Sequence, residues 1–142
     1  MDTFEIASAL RGAVSDLHKR LRKQVYSAGG LSITEVTTLS YLDKSGPLFP
    51  SDLAEINKVK KQSMSQVLKQ LEERKLIRRV VLKEDKRKMA ISLTGEGKRM
   101  IEKTRYERDE WLAGAMKATI TEKDMRVLEA AIPLLLRIAN AR

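Results

Sequence analysis

Few residue types in this 142-residue chain can do chemistry. It has no cysteine and one histidine, His18. The first fact excludes disulfides, thiolate zinc sites and thiol redox sensing. His18 has no H-x-x-x-H partner, and Asp16, two residues away, is poorly placed to share a metal from one helix face. No second group stands ready for a nucleophile–base or acid–base pair, so an enzyme, a metal site or a cofactor is not expected. What remains is cationic charge mixed with short hydroxyls and amides. One stretch holds Lys60, Lys61, Gln62, Ser63, Ser65, Gln66 and Lys69; another, KEDKRKM at 83–89, holds Asp85, Lys86, Arg87 and Lys88. Lysine and arginine bind phosphates, while serine and glutamine suit phosphate bonds and base-edge readout.

The charge is concentrated. Residues 58–88 contain twelve Lys or Arg against four Asp or Glu, whereas the net charge of the whole chain is +9. A block of this kind points to a polyanionic partner, most often nucleic acid. The stretch from Lys58 to Leu71 carries no acid at all, unlike an ordinary solvated helix face. A hydrophobic fraction of 42% fits a folded soluble protein of one domain. No membrane span is expected, because no uninterrupted apolar run is long enough. The start MDTFEIAS lacks the pattern of a signal peptide, so a cytoplasmic location is the expectation.

The elements that must position these residues are mostly helical. Leu10, Val14, Leu17, Leu21 and Val25 form a helical stripe across 4–27, ending at Ala28-Gly29-Gly30. Ser32-Ile33-Thr34-Glu35 reads as a capping box opening a second helix with Val36, Leu39 and Leu42 inward. Pro50-Ser51-Asp52 opens a short third helix with Leu53, Ala54 and Ile56 as its apolar side. Lys60 to Lys75 is the fourth, with Met64, Val67, Leu68 and Leu71 inward. The period then changes: Ile77, Val80 and Val81, and the alternating Met89, Ile91 and Leu93, predict a hairpin with KEDKRKM at its tip. Thr94-Gly95-Glu96-Gly97 begins a helix to about Ala118. Thr121 caps a last one, in which Pro133 predicts a kink or a break.

This order is that of a winged helix-turn-helix: mainly α, with a small β-hairpin wing and flanking helices. The fourth helix would enter the major groove and the hairpin would reach the adjacent minor groove. Asp85-Lys86-Arg87, followed by Leu93-Thr94-Gly95-Glu96-Gly97, resembles the wing signature of the MarR family of bacterial transcriptional regulators. Gln62 to Leu68 with Leu71-Glu72-Glu73 is similar to its recognition helix. Two positions depart from the family pattern, which often has glycine there. The turn before the recognition helix reads Asn57-Lys58-Val59, where Asn57 would tolerate a left-handed conformation, and Lys75 follows the helix.

The resemblance implies a dimerisation helix at 1–30, a DNA-binding region at 31–97 and dimerisation helices at 98–142, in one compact chain. The apolar run from Val127 to Ala139, together with Phe4, Ile6 and Leu10, would form the homodimer interface. Double-stranded DNA with a palindromic operator is the implied partner. Gln62, Ser63 and Gln66 would contact bases or phosphates, Lys60, Lys61 and Lys69 phosphates, and Arg87 the minor groove; Asp85 would hold the wing. The resemblance also implies a small-molecule effector, with His18, Tyr26, Tyr41 and Trp111 as pocket candidates, although plain core packing explains the aromatics equally well. The expected role is a repressor. A winged helix serving as a protein- or RNA-interaction module is the alternative.

Overall fold

In the structure, a computed structural model, the helical periodicities become α1 (Thr3–Ser27), α2 (Ile33–Ser45), α3 (Pro50–Asn57) and α4 (Lys61–Glu73). A hairpin follows, β1 (Ile77–Val81) and β2 (Met89–Leu93), and then α5 (Gly95–Thr119) and α6 (Glu122–Ala139). All residues are described except Ala28, Gly29 and Lys86, together with the side chains of Val25, Tyr26 and Ser27. The expected chain stop at 28–30 therefore lies mostly outside the described residues. The chain divides into two units, Met1–Arg108 and Asp109–Arg142.

The core of the first unit is built where α2, α3 and α4 bring their apolar stripes together. Leu39, Leu53, Leu71 and Ile91 are fully buried there, beside Leu31, Met64, Leu68, Ile77 and Ile101. Each such side chain contributes about 1.5–3 kcal/mol relative to exposure. The start of α2 is fixed by the expected capping box: Glu35 N donates to Ser32 Oγ at 3.1 Å and Ser32 N to Glu35 Oε1 at 3.0 Å. Its end is fixed by Gly46, whose N–H donates to the Leu42 carbonyl at φ +82°, a conformation that favours glycine. Proline at the first position of α3 needs no hydrogen-bond partner there, and Asp52 accepts from the Phe49 N–H at 3.1 Å.

The hairpin is antiparallel with Ile77 opposite Leu93 and Val81 opposite Met89. Strict alternation of burial along β2 was expected and is not found. Ala90 and Ile91 are both buried, whereas Met89 is exposed. Met89 is the paired residue of β2 nearest the tip, opposite the equally exposed Val81. Leu48, in the α2–α3 connection, bridges to Ile91 through two backbone bonds of 3.1 and 2.7 Å and ties the wing to the helical core.

The turn into α5 has its own logic. Thr94 Oγ1 donates to the Lys75 carbonyl at 2.7 Å and accepts from Gly97 N at 3.0 Å. At Gly97 a Cβ would meet the Leu76 carbonyl oxygen at 2.1 Å, so only glycine lets the α5 backbone pass so close to the end of α4. The threonine and second glycine of Leu93-Thr94-Gly95-Glu96-Gly97 therefore lock the end of α4, the hairpin and α5 to one another.

In the second unit, Thr121 caps α6 through reciprocal bonds with Asp124. Pro133 does not break this helix, which runs continuously to Ala139. The proline removes one backbone bond, and the turns on either side keep theirs. None of the residues of α6 is buried.

Candidate nucleic-acid interface

The two sides of α4 are cleanly separated. Met64, Leu68 and Leu71, spaced by four and three, face the core, and Val67 is half-buried at its margin. Lys60, Lys61, Gln62, Ser63, Ser65, Gln66, Lys69 and Gln70 are all exposed. The expected helix bounds shrink slightly, since Lys60 is the extended N-cap and Arg74 the C-cap. Lys60 makes no side-chain cap bond, and the first turn carries no acid. The amide-bearing end of α4 is thus available to an anion, with a cation beside it. The first acid of the helix, Glu72, is engaged by Arg79 of β1 at 3.4 Å.

The turn entering α4 differs from expectation. Lys58, not Asn57, takes the left-handed conformation, with φ 55° and ψ 43°. Asn57 is held otherwise: its Nδ2 donates to Thr38 Oγ1 at 3.1 Å and to the Leu53 carbonyl at 2.9 Å. Those bonds satisfy the buried Thr38 hydroxyl and fix α3 against α2. Among the described residues no buried side-chain polar atom lacks a partner.

At the wing tip, Asp85 Oδ1 accepts from the Arg87 backbone N–H at 3.0 Å and from its Nε at 3.4 Å. The Arg87 side chain nonetheless remains 92% exposed. Lys88 N donates to the Asp85 carbonyl at 3.0 Å, closing the turn. The Lys88 ammonium lies 5.7 Å from the centre of the Phe49 ring, linking the wing to the start of α3. Lys86 lies outside the described residues.

Of the pocket candidates, His18 and Tyr41 line separate hollows. His18 lines a hollow of about 190 Å³ with Arg22, Ile33, Val36, Thr37 and Arg108. Tyr41 lines a different, more open hollow of about 500 Å³ with Ser40, Asp43, Lys44 and Arg105. The Tyr26 side chain lies outside the described residues, and Trp111, partly exposed, belongs to the second unit. Sequence reading missed Arg22 and Arg108, because no periodicity links two arginines so far apart in the chain. It also missed Asp43, which receives Arg105 Nη1 at 2.8 Å and Lys98 Nζ at 3.4 Å. The hydrogen bond from Arg105, helped by the charge of Lys98, holds the Asp43 carboxyl below its ordinary pKa.

Residues 29–88, the segment that carries α4 and most of the wing, match the model of the MarR family. A candidate transcriptional regulator from Pseudomonas aeruginosa PA01 is 31% identical, with a TM-score of 0.84, covering 98% of this chain and 96% of its own. The chain belongs to the MarR family. An HTH-type transcriptional regulator of Mycobacterium tuberculosis is 28% identical over 95% of this chain and 93% of its own length. A variant of Staphylococcus aureus MepR bound to an oligodeoxyribonucleotide shares the fold at a TM-score of 0.68 and 21% identity, covering 99% of this chain and 100% of its own. This MarR-family protein is a DNA-binding transcriptional regulator with a helix-turn-helix, from a family of regulators rather than enzymes. No described helix is long and apolar enough to cross a membrane.

Proposed function

We propose that this MarR-family protein is a homodimeric repressor that binds an inverted-repeat operator and is released by a small organic anion. The observation that carries the DNA side is the exposed face of α4, which carries no acid from Lys61 to Gln70, beside a wing arginine oriented by its own aspartate. On this reading Gln62, Ser63 and Gln66 contact base edges or phosphates, with Ser65 beside them, and Lys60, Lys61 and Lys69 bind phosphates. Arg87 enters the minor groove, where a narrow A·T-rich segment attracts a cation; Lys86 and Lys88 add charge at the wing.

Dimerisation is supported by large exposed apolar side chains, Phe4 and Ile6 on α1 and Val127, Leu128 and Ile132 on α6 among them. Such surfaces mark association sites. A two-fold dimer presents two recognition helices to half-sites about 10 bp apart. Release by an anion is supported by the hollow that His18, Arg22 and Arg108 line together with Ile33, Val36 and Thr37. Two guanidinium groups suit a carboxylate or phenolate.

The test is selection of duplexes from a randomised pool, followed by footprinting of the winners. Dyad-symmetric protection and loss of binding to a scrambled duplex are expected. Equal binding to both would instead favour an interaction module without operator specificity.

A further inference from the structure

Among the described residues two non-glycine residues have positive φ, Lys58 at 55° and Lys75 at 62°. Both are lysines, and they bracket α4. Lys58 ends α3, and Lys75 follows the C-cap of α4, Arg74. A left-handed lysine is less favourable than glycine, because its Cβ crowds the neighbouring carbonyl.

The surrounding chain enforces both conformations. Lys58 N donates to the Glu55 carbonyl at 3.1 Å, and Val59 N to the Ala54 carbonyl at 3.0 Å. Lys75 N donates to the Glu72 carbonyl at 2.9 Å, and the Lys75 carbonyl accepts from Thr94 Oγ1 at 2.7 Å. Strain held in place by neighbours directs attention to what the side chain does. Both side chains are exposed, and neither forms an ion pair with a described carboxylate.

The geometry of α4 supplies the partner. Its 13 residues span about 20 Å at a rise of about 1.5 Å each. The major groove is about 12 Å wide. A helix of that length that crosses the groove obliquely brings its two ends toward the two phosphate rims. A cation just beyond each end then faces a backbone, not a base.

We propose that Lys58 and Lys75 are a pair of phosphate anchors, one at each end of α4, retained at positions where glycine would relieve the backbone. This rests on α4 being the helix that faces DNA. It extends the interface beyond the helix face and the wing. The competing role is favourable placement of a cation at the C-terminal ends of α3 and α4.

Glycine and glutamine variants separate these roles. Lys58→Gly and Lys75→Gly remove both strain and charge, whereas Lys58→Gln and Lys75→Gln remove charge and keep the side chain. Thermal midpoints and affinities for a mixed-sequence duplex at several salt concentrations would be measured on the full chain. The glycine variants should melt about 2 °C or more higher, and the glutamine variants close to wild type. All four should bind several-fold more weakly, with the log–log salt slope reduced by about 0.9 for each phosphate no longer neutralised. A glutamine variant that melts lower with an unchanged slope would assign the lysine to the helix end and overturn the proposal. So would unchanged slopes at both positions while Lys60→Gln and Lys69→Gln reduce theirs. Failure of Lys60→Gln and Lys69→Gln to alter binding would overturn the placement of α4 itself.

Discussion

Asp85 and Arg87 form a closed pair at the tip of the wing, with one carboxylate oxygen accepting from both the backbone and the side chain of the arginine. An acid next to DNA would ordinarily weaken binding. Here it sets the direction of a guanidinium that is otherwise open to solvent. An exposed ion pair contributes little to stability, so its value lies in orientation. Arg87→Ala should weaken operator binding by about 1–3 kcal/mol and lower the salt slope. Asp85→Ala should also weaken binding, despite the gain in positive charge. Tighter binding by Asp85→Ala in a titration against the selected duplex would mean that the carboxylate merely repels DNA.

Gln66 should behave differently from the cations. It is exposed in the middle of α4, between the core positions Met64 and Leu68. A neutral amide reading a base edge carries discrimination and no counterion release. Gln66→Ala should narrow the affinity gap between selected and scrambled duplexes while the salt slope stays nearly constant. A uniform loss on both duplexes would place Gln66 on the backbone instead.

The helices and their caps were legible because their signals are local. The Ser32–Glu35 and Thr121–Asp124 boxes need residues three apart, and the stripe of Met64, Leu68 and Leu71 repeats within two turns. The identity of the left-handed residue was not legible. Asn57 has the better intrinsic tolerance, but its amide is drawn to Thr38, nineteen residues earlier, and the turn passes to Lys58. The same limit hid the His18, Arg22 and Arg108 hollow and the Asp43 ion pairs, which join elements distant in sequence. The exposure of Met89 followed from the hairpin reaching past its core, which alternation alone does not reveal.

Gly97 makes a sharp stability prediction. Gly97→Ala would drive a methyl group into the Leu76 carbonyl and the Leu93 side chain. Backbone on one side cannot yield as a flexible side chain would. The substitution should destabilise by about 1–3 kcal/mol or more, visible in a urea midpoint. Gly114→Ala, which meets nothing within 4 Å, is the matched control and should be neutral or slightly stabilising. Equal midpoints for the two variants would show that the close approach is not maintained.

Asp43 gives the chain an acid-sensitive tie between α2 and the first part of α5. Arg105 and Lys98 lower its folded-state pKa from an ordinary 3.8. Between the folded and unfolded values the unfolded chain binds more protons, so stability falls as pH falls. The contribution is fully present above the unfolded value and disappears on acidification through the folded one. The gap in melting temperature between wild type and Asp43→Asn should therefore be widest near neutrality and close below pH about 4. A gap independent of pH would show that the ion pairs do not carry it.

Helix α6 carries the last prediction. Leu128, Ile132 and Leu135 form one stripe, and Val127, Leu134 and Ile138 another, so the helix is apolar on most of its circumference. A helix of that kind is stable in water only when most of it is covered. All six side chains are nevertheless exposed in the single chain. A second copy covers them most simply, because a two-fold axis sets the same apolar surface against itself. Sedimentation at micromolar concentration should give a dimer. Leu128→Glu combined with Leu135→Glu should give a monomer whose winged region still melts cooperatively but whose operator affinity collapses, since one recognition helix cannot span two half-sites. A wild-type monomer in the centrifuge, or a dimer that persists with both glutamates in place, would show that this surface does not pair two copies.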